Sequence, residues 1–280
     1  MLPQIITDLI ELDFWRRAVM GGLMLSAVCS MLSVYVVLKR MAFIGQGISH
    51  SAFGGVALGA LLFSASAHST LLIQLTAFLF CLVVALGIAY TSRRGGLGAD
   101  SAIGVFFAFS MALGIIFLKQ TSGYTQDANS LLFGSIIAIS QMDFYVITGL
   151  SAAVILVLFF LRRQLLYYTF DEEMAAASGL HTNLLQMILL LSLSVMIIAG
   201  VRMIGVILIS SFLILPGTTA WLVSRRFPFM MFMSIVCGIC STILGLAMAW
   251  QFDWPAGAAI VVVQFAFFCI AWIVRRLMKF

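Results

Sequence analysis

The sequence predicts an all-α, polytopic transmembrane helical bundle of about 8–10 membrane helices, and three observations predict it. Hydrophobic residues are 63% of the 280 and charged residues 9%, with a mean hydropathy of +1.17. Soluble domains carry roughly 25% charged residues and cannot hide this much apolar surface. The apolar runs are each close to the roughly 20 residues a helix needs to cross hydrocarbon. Basic pairs close every second run. The runs are continuous rather than alternating, which excludes a barrel.

Taken in order, residues 1–14 contain Leu2, Ile5, Ile6, Leu9 and Ile10 between Asp8, Glu11 and Asp13. A short amphipathic helix at the outer interface and a frayed terminus both fit that pattern. With no basic n-region and no small-residue cleavage site, it does not read as a signal peptide. The spans then fall at 15–38, 45–63, 69–92, 100–118, 143–162, 182–200, 203–223, 229–250 and 255–274, nine in all. A tenth apolar piece at 130–140 is too short to cross and reads as re-entrant or buried. The whole chain, 1–280, is one transmembrane domain.

Lys39-Arg40, Arg93-Arg94, Arg162-Arg163, Arg225-Arg226, Arg275-Arg276 and Lys279 place 11 of the 15 Lys and Arg on one side, leaving Arg16, Arg17, Lys119 and Arg202 opposite. The basic side is expected to be cytoplasmic, with the C-terminus inside and the N-terminus outside. The net charge of +5 follows from this asymmetry and implies lipid, not nucleic acid, as the surrounding partner. The five cysteines, Cys29, Cys81, Cys237, Cys240 and Cys269, all lie in apolar runs and read as buried, inert thiols.

The second span carries the most chemistry. Gly47, Ser51, Gly55 and Gly59 recur every fourth residue and form one small-residue row on a helix, with Gln46 and His50 one turn apart on the adjacent row. Ionisable groups at membrane depth are costly and by default mark a transport pathway. A helix-packing hydrogen bond between Gln46 and His50 is the plainer alternative. Similar rows, Gly104-Ala108-Ala112 and Ser241-Gly245-Ala249, permit close helix approach within a subunit or across a dimer.

The longest basic-side loop, 164–181, holds Asp171, Glu172 and Glu173, then Met174-Ala175-Ala176-Ala177-Ser178-Gly179. Asp171 reads as an N-cap, the acids as the first turn and Gly179 as the C-terminal stop of a short helix. Such a capped helix fits a docking element or a solvated connector equally well. In the seventh span Pro216-Gly217 interrupts the apolar run and predicts a kink, serving a gate or simply packing, with Ser210, Ser211, Thr218 and Thr219 able to take up freed backbone groups. No G-x-x-x-x-G-K-[ST] loop, H-E-x-x-H or G-x-S-x-G occurs, so ATP hydrolysis and the familiar hydrolase chemistries are not expected on this chain.

Three segments carry a resemblance: Arg40-Met41-Ala42-Phe43-Ile44-Gly45-Gln46-Gly47-Ile48-Ser49-His50-Ser51, Phe170-Asp171-Glu172-Glu173-Met174-Ala175 with Gly179, and Gly205-Val206-Ile207-Leu208-Ile209-Ser210 leading to Leu215-Pro216-Gly217-Thr218-Thr219-Ala220. Over nearly its whole length the chain resembles the ABC-3 membrane permeases of ABC importers for zinc, manganese and iron. The resemblance implies a multi-pass permease, not an enzyme, in a prokaryotic-type cytoplasmic membrane. It implies a homodimer that binds cytoplasmic ATP-binding subunits through the Asp171–Gly179 helix and receives metal from an extracytoplasmic metal-binding protein. It also implies a pore site at His50 and at position 46, where the family typically has aspartate and this chain has Gln46. An amide offers only a neutral oxygen, whereas imidazole suits zinc, so zinc is expected ahead of manganese or iron as the transported divalent ion. The alternative, a carrier or channel driven by ion gradients, would normally show acids deep in the spans, and none is present.

Overall fold

A computed structural model of the chain describes residues 13–63, 69–94, 98–121 and 141–277. The 1–14 amphipathic segment lies, except for its last two residues, outside the described residues; the 130–140 piece and His68 lie wholly outside them. Among the described residues the chain is helical, with no strand: α1 Asp13–Leu38, α2 Ile44–Phe63, α3 Ser69–Arg94, α4 Ala99–Gln120, α5 Gln141–Phe160, α6 Arg162–Phe170, α7 Glu172–Ala177, α8 Thr182–Phe212, α9 Leu215–Val223, α10 Phe227–Phe252 and α11 Ala256–Leu277. Eight segments among the described residues are long and apolar enough to cross a membrane. The sequence run not among these eight is the second, α2, whose 20 residues include glycines, serines, Gln46 and His50. Neighbouring helices cover most of it, so it has little need of a lipid-facing apolar surface.

The bundle has two groups of helices with α8 between them. In one, α2 packs along α3 and α4; in the other, α1, α9, α10 and α11 pack together, and α8 touches α1, α2, α3, α5 and α11. Small residues make the closest approaches. A Cβ added to Gly55 would lie 2.7 Å from the Ala77 Cα, and one on Gly59 2.8 Å from the Ile73 Cα, so α2 and α3 meet backbone to backbone. Gly245 of the Ser241 row meets Ile260 of α11 in the same way, which makes that row an intrasubunit contact. Gly104 faces open space.

The sequence expects one kink, at Pro216-Gly217; the structure breaks the run twice, just before Pro216 and, unexpectedly, at Gly205. Gly205, inside α8, has φ 79° and ψ 167°, a conformation that side chains with a Cβ rarely adopt, and it divides α8 into two helical pieces. A second break at Leu213–Ile214 separates α8 from α9. Pro216 then occupies the first turn of α9, where its missing N–H removes no helical bond.

The basic residues gather at one end of the bundle. Phe227, just after Arg225-Arg226, contacts Tyr35 near the end of α1 and Phe170 at the end of α6, while Arg225 and Arg275 both approach the Trp221 ring.

Candidate functional site

The turn before α2 sets the register of Gln46 and His50. Arg40 has φ 55°, and its N–H bonds the Val37 carbonyl at 3.1 Å while that of Met41 bonds Val36 at 3.0 Å. These are the two bonds of a Schellman motif, with arginine in the left-handed position usually held by glycine. Buried Met41 secures the turn, and α2 begins three residues later.

The packed face of α2 is polar as well as small. Ser51 donates to the Gly47 carbonyl at 2.7 Å and to the Ser110 hydroxyl of α4 at 3.1 Å, and Ser49 pairs with Ser210 of α8 at 3.2 Å. On the other side Gln46 is exposed and His50 half-buried, the imidazole meeting the Phe107 ring edge-on at 5.0 Å. No hydrogen bond joins the Gln46 amide to the His50 ring among the described residues, so the helix-packing pair is not what this arrangement shows. The two side chains instead lie one turn apart, as a stripe on a side of α2 that the described residues cover only in part. Among the described residues no three His, Cys, Asp or Glu cluster. Gln46 and His50 are thus, among the described residues, two potential donors, short of the four or more ligands that divalent transition metals take.

The α6–α7 elbow projects at the basic end. The Asp171 carboxylate accepts the Met174 N–H at 2.9 Å as an N-cap, and Gly179, at φ 85°, closes a second Schellman motif with Leu180 bonding the Ala175 carbonyl at 3.1 Å. The three acids have different surroundings. Glu173 is exposed, whereas Glu172 pairs with Lys39 at 2.8 Å. Sequence reasoning missed Lys39, reading it only as a topology marker; its partner stands 133 residues away, and no local signal announces the pairing.

At Pro216-Gly217 the Gly217 N–H donates to Ser33 of α1 at 2.9 Å, and an added Cβ there would lie 2.7 Å from the Ser33 backbone. Thr218 and Thr219 bond the Ile214 and Leu215 carbonyls at 2.9 and 2.7 Å, and Ser210 and Ser211 bond those of Val206 and Leu208, both at 2.8 Å. The segment is thus tightly docked on α1, and the hydroxyls occupy carbonyls around the break.

Residues 11–275 match the sequence pattern of the ABC 3 transport family. The chain belongs to that family. A manganese transport system membrane protein, MntC, of Halalkalibacterium halodurans is 31% identical over 264 residues, covering 94% of this chain and 88% of the relative. A probable iron transport system membrane protein of Haemophilus influenzae is 29% identical, covering 94% of each chain. Among solved structures, PsaBC from Streptococcus pneumoniae in complex with Fab superposes with a TM-score of 0.83 at 29% identity, over 97% of this chain and 95% of that one. This ABC 3 transport protein is accordingly an all-α, multi-pass membrane permease of the metal-importer class, and the stripe on α2 and the α6–α7 elbow are its two functional candidates.

Proposed function

We propose that the chain is the membrane-spanning subunit of an ATP-driven importer of divalent transition metal, with Gln46 and His50 in the translocation path. The observation that carries this is the stripe on α2. An amide and an imidazole on the partly covered face of a membrane helix are costly against lipid, so an aqueous path or a second subunit faces them. Two copies with these stripes opposed would offer two imidazoles and two amides, which supplies the donors one pair lacks. ATP would be hydrolysed by separate subunits docked at the basic end, taken as cytoplasmic, on the α6–α7 elbow, and metal would arrive from a binding protein on the other side.

Imidazole alone argues for zinc, but the relatives above are named for manganese and iron, and that moves manganese ahead of zinc as the proposed cargo. The chemistry accommodates the change. A given nitrogen and oxygen site generally binds Zn²⁺ more tightly than Mn²⁺, so a sparse site with little imposed geometry does not exclude zinc by affinity. Choice of metal then rests with the protein that delivers it, while weak ligation in the path favours release. Uptake of Mn²⁺, Zn²⁺ and Fe²⁺ into proteoliposomes holding the chain with its ATPase and the metal-delivering protein tests this. His50→Ala should lower Mn²⁺ uptake by at least about tenfold, or ~1.4 kcal/mol. Gln46→Asp should restore an anionic oxygen and change the relative rates of the three metals. Normal uptake by His50→Ala would remove the stripe from the path.

A further inference from the structure

The α6–α7 elbow and the Gln46–His50 stripe lie on different elements, yet one side chain joins the backbone that carries both. Lys39 is the C-cap of α1. Its ammonium donates to the Glu172 carboxylate at 2.8 Å and to the Tyr168 carbonyl at 3.3 Å, and it sits 3.7 Å from the centre of the buried Tyr168 ring. The Tyr168 carbonyl is among the last of α6, where helices have no internal partner and cations are favoured; Glu172 is in the first turn of α7, where anions are. A single charge therefore holds the end of one helix and the start of the next. The Lys39 side chain is 14% exposed against 41% for Glu172, so the ammonium is largely withdrawn from solvent.

The backbone beyond Lys39 has little slack. The Lys39 N–H bonds Tyr35 at 2.9 Å, Arg40 and Met41 close the Schellman turn, Ile44 bonds Met41 at 3.0 Å and Gly47 bonds Phe43 at 2.8 Å. Helix α2 begins there, carrying Gln46 in its first turn and His50 in its second. A displacement of the elbow that draws on Lys39 is thus passed through a continuous hydrogen-bonded turn to the stripe.

We propose that Lys39 is a positioning residue that couples the α6–α7 elbow to the α1–α2 turn, delivering the movement of a docked ATPase to Gln46 and His50. This rests on the permease reading given above. It assigns Glu172 to the coupling from within, bound to Lys39, and leaves the exposed surface of α7 to the partner.

The test uses the whole transporter, permease with its ATPase and metal-delivering protein, in proteoliposomes loaded outside with Mn²⁺. The readout is metal imported per ATP hydrolysed, with copurification of the ATPase and detergent Tm measured alongside. Lys39→Met should lower the ratio roughly fivefold or more while the ATPase stays bound and hydrolysis continues. Lys39→Arg, which can still reach the carboxylate, the carbonyl and the ring, should recover most of it, and a purely structural role gives no such restoration of the ratio. If Lys39→Met does not fold, Glu172→Gln, which keeps the shape and loses the charge, should lower the ratio in its place. An unchanged ratio in the folded variant, a fall that accompanies loss of the ATPase, or an arginine no better than methionine would overturn the proposal. Failure of the permease reading itself would show earlier and separately, as ATP-independent uptake by the wild type.

Discussion

Gln46 and His50 gain their significance from where α2 points them. A lone histidine in an apolar run is ordinarily held by a carbonyl or hydroxyl across a helix contact, but His50 meets an aromatic edge and its helix's partly covered side. The serines of α2 serve the packing, and the amide and imidazole are left to whatever lies opposite. Gly205 has a comparable bearing on α8. Its φ of 79° with ψ 167° belongs to a region occupied almost only by glycine. Gly205→Ala should cost on the order of 1–3 kcal/mol and lower the detergent Tm, whereas Gly104→Ala, whose added Cβ meets nothing within 4 Å, should leave it nearly unchanged. Equal melting of the two variants would mean that Gly205 does not need this conformation.

At the scale of elements, α6 and α7 present Tyr167, Phe170 and Met174 outward, each more than half exposed, beside Glu173. Exposed apolar residues at the basic end, past the spans, suit a protein groove better than water. Met174→Asp should therefore weaken ATPase copurification at least about tenfold without disturbing the Lys39–Glu172 pair, as judged by an unaltered Tm. Full retention of the ATPase would point to a different docking surface. The caps of α7 were legible in the sequence because capping is local: Asp171 three residues before Met174, and Gly179 just past the alanines. Span positions were legible for a similar reason, since hydrocarbon thickness fixes a run length. The break at Gly205 was not. Proline drew the prediction to Pro216, but proline starts helices as readily as it kinks them, and nothing in an apolar run marks Gly205 rather than Gly200 as the residue with positive φ. The differing surroundings of Glu172 and Glu173 depend on a residue 133 positions from Glu172 and had to come from the fold.

Over the whole molecule, α8 stands between the α2–α3–α4 group and the α1–α9–α10–α11 group and is broken at Gly205. Ser210, one turn beyond Val206, touches Ser49 on α2, and Gly217 is bonded to Ser33 on α1, so the broken segment contacts the stripe's helix and the helix that Lys39 caps. Family membership follows from the match over residues 11–275, but the energy source and the path are claims about this assembly and are measured together. The most direct measurement is Mn²⁺ uptake into proteoliposomes holding the chain with its ATPase and metal-delivering protein, with ATP or a non-hydrolysable analogue, for the wild type and His50→Ala. Uptake that requires hydrolysis and is lost in His50→Ala is the predicted result. Full uptake with the analogue, or hydrolysis-driven uptake untouched by the loss of His50, would contradict the account.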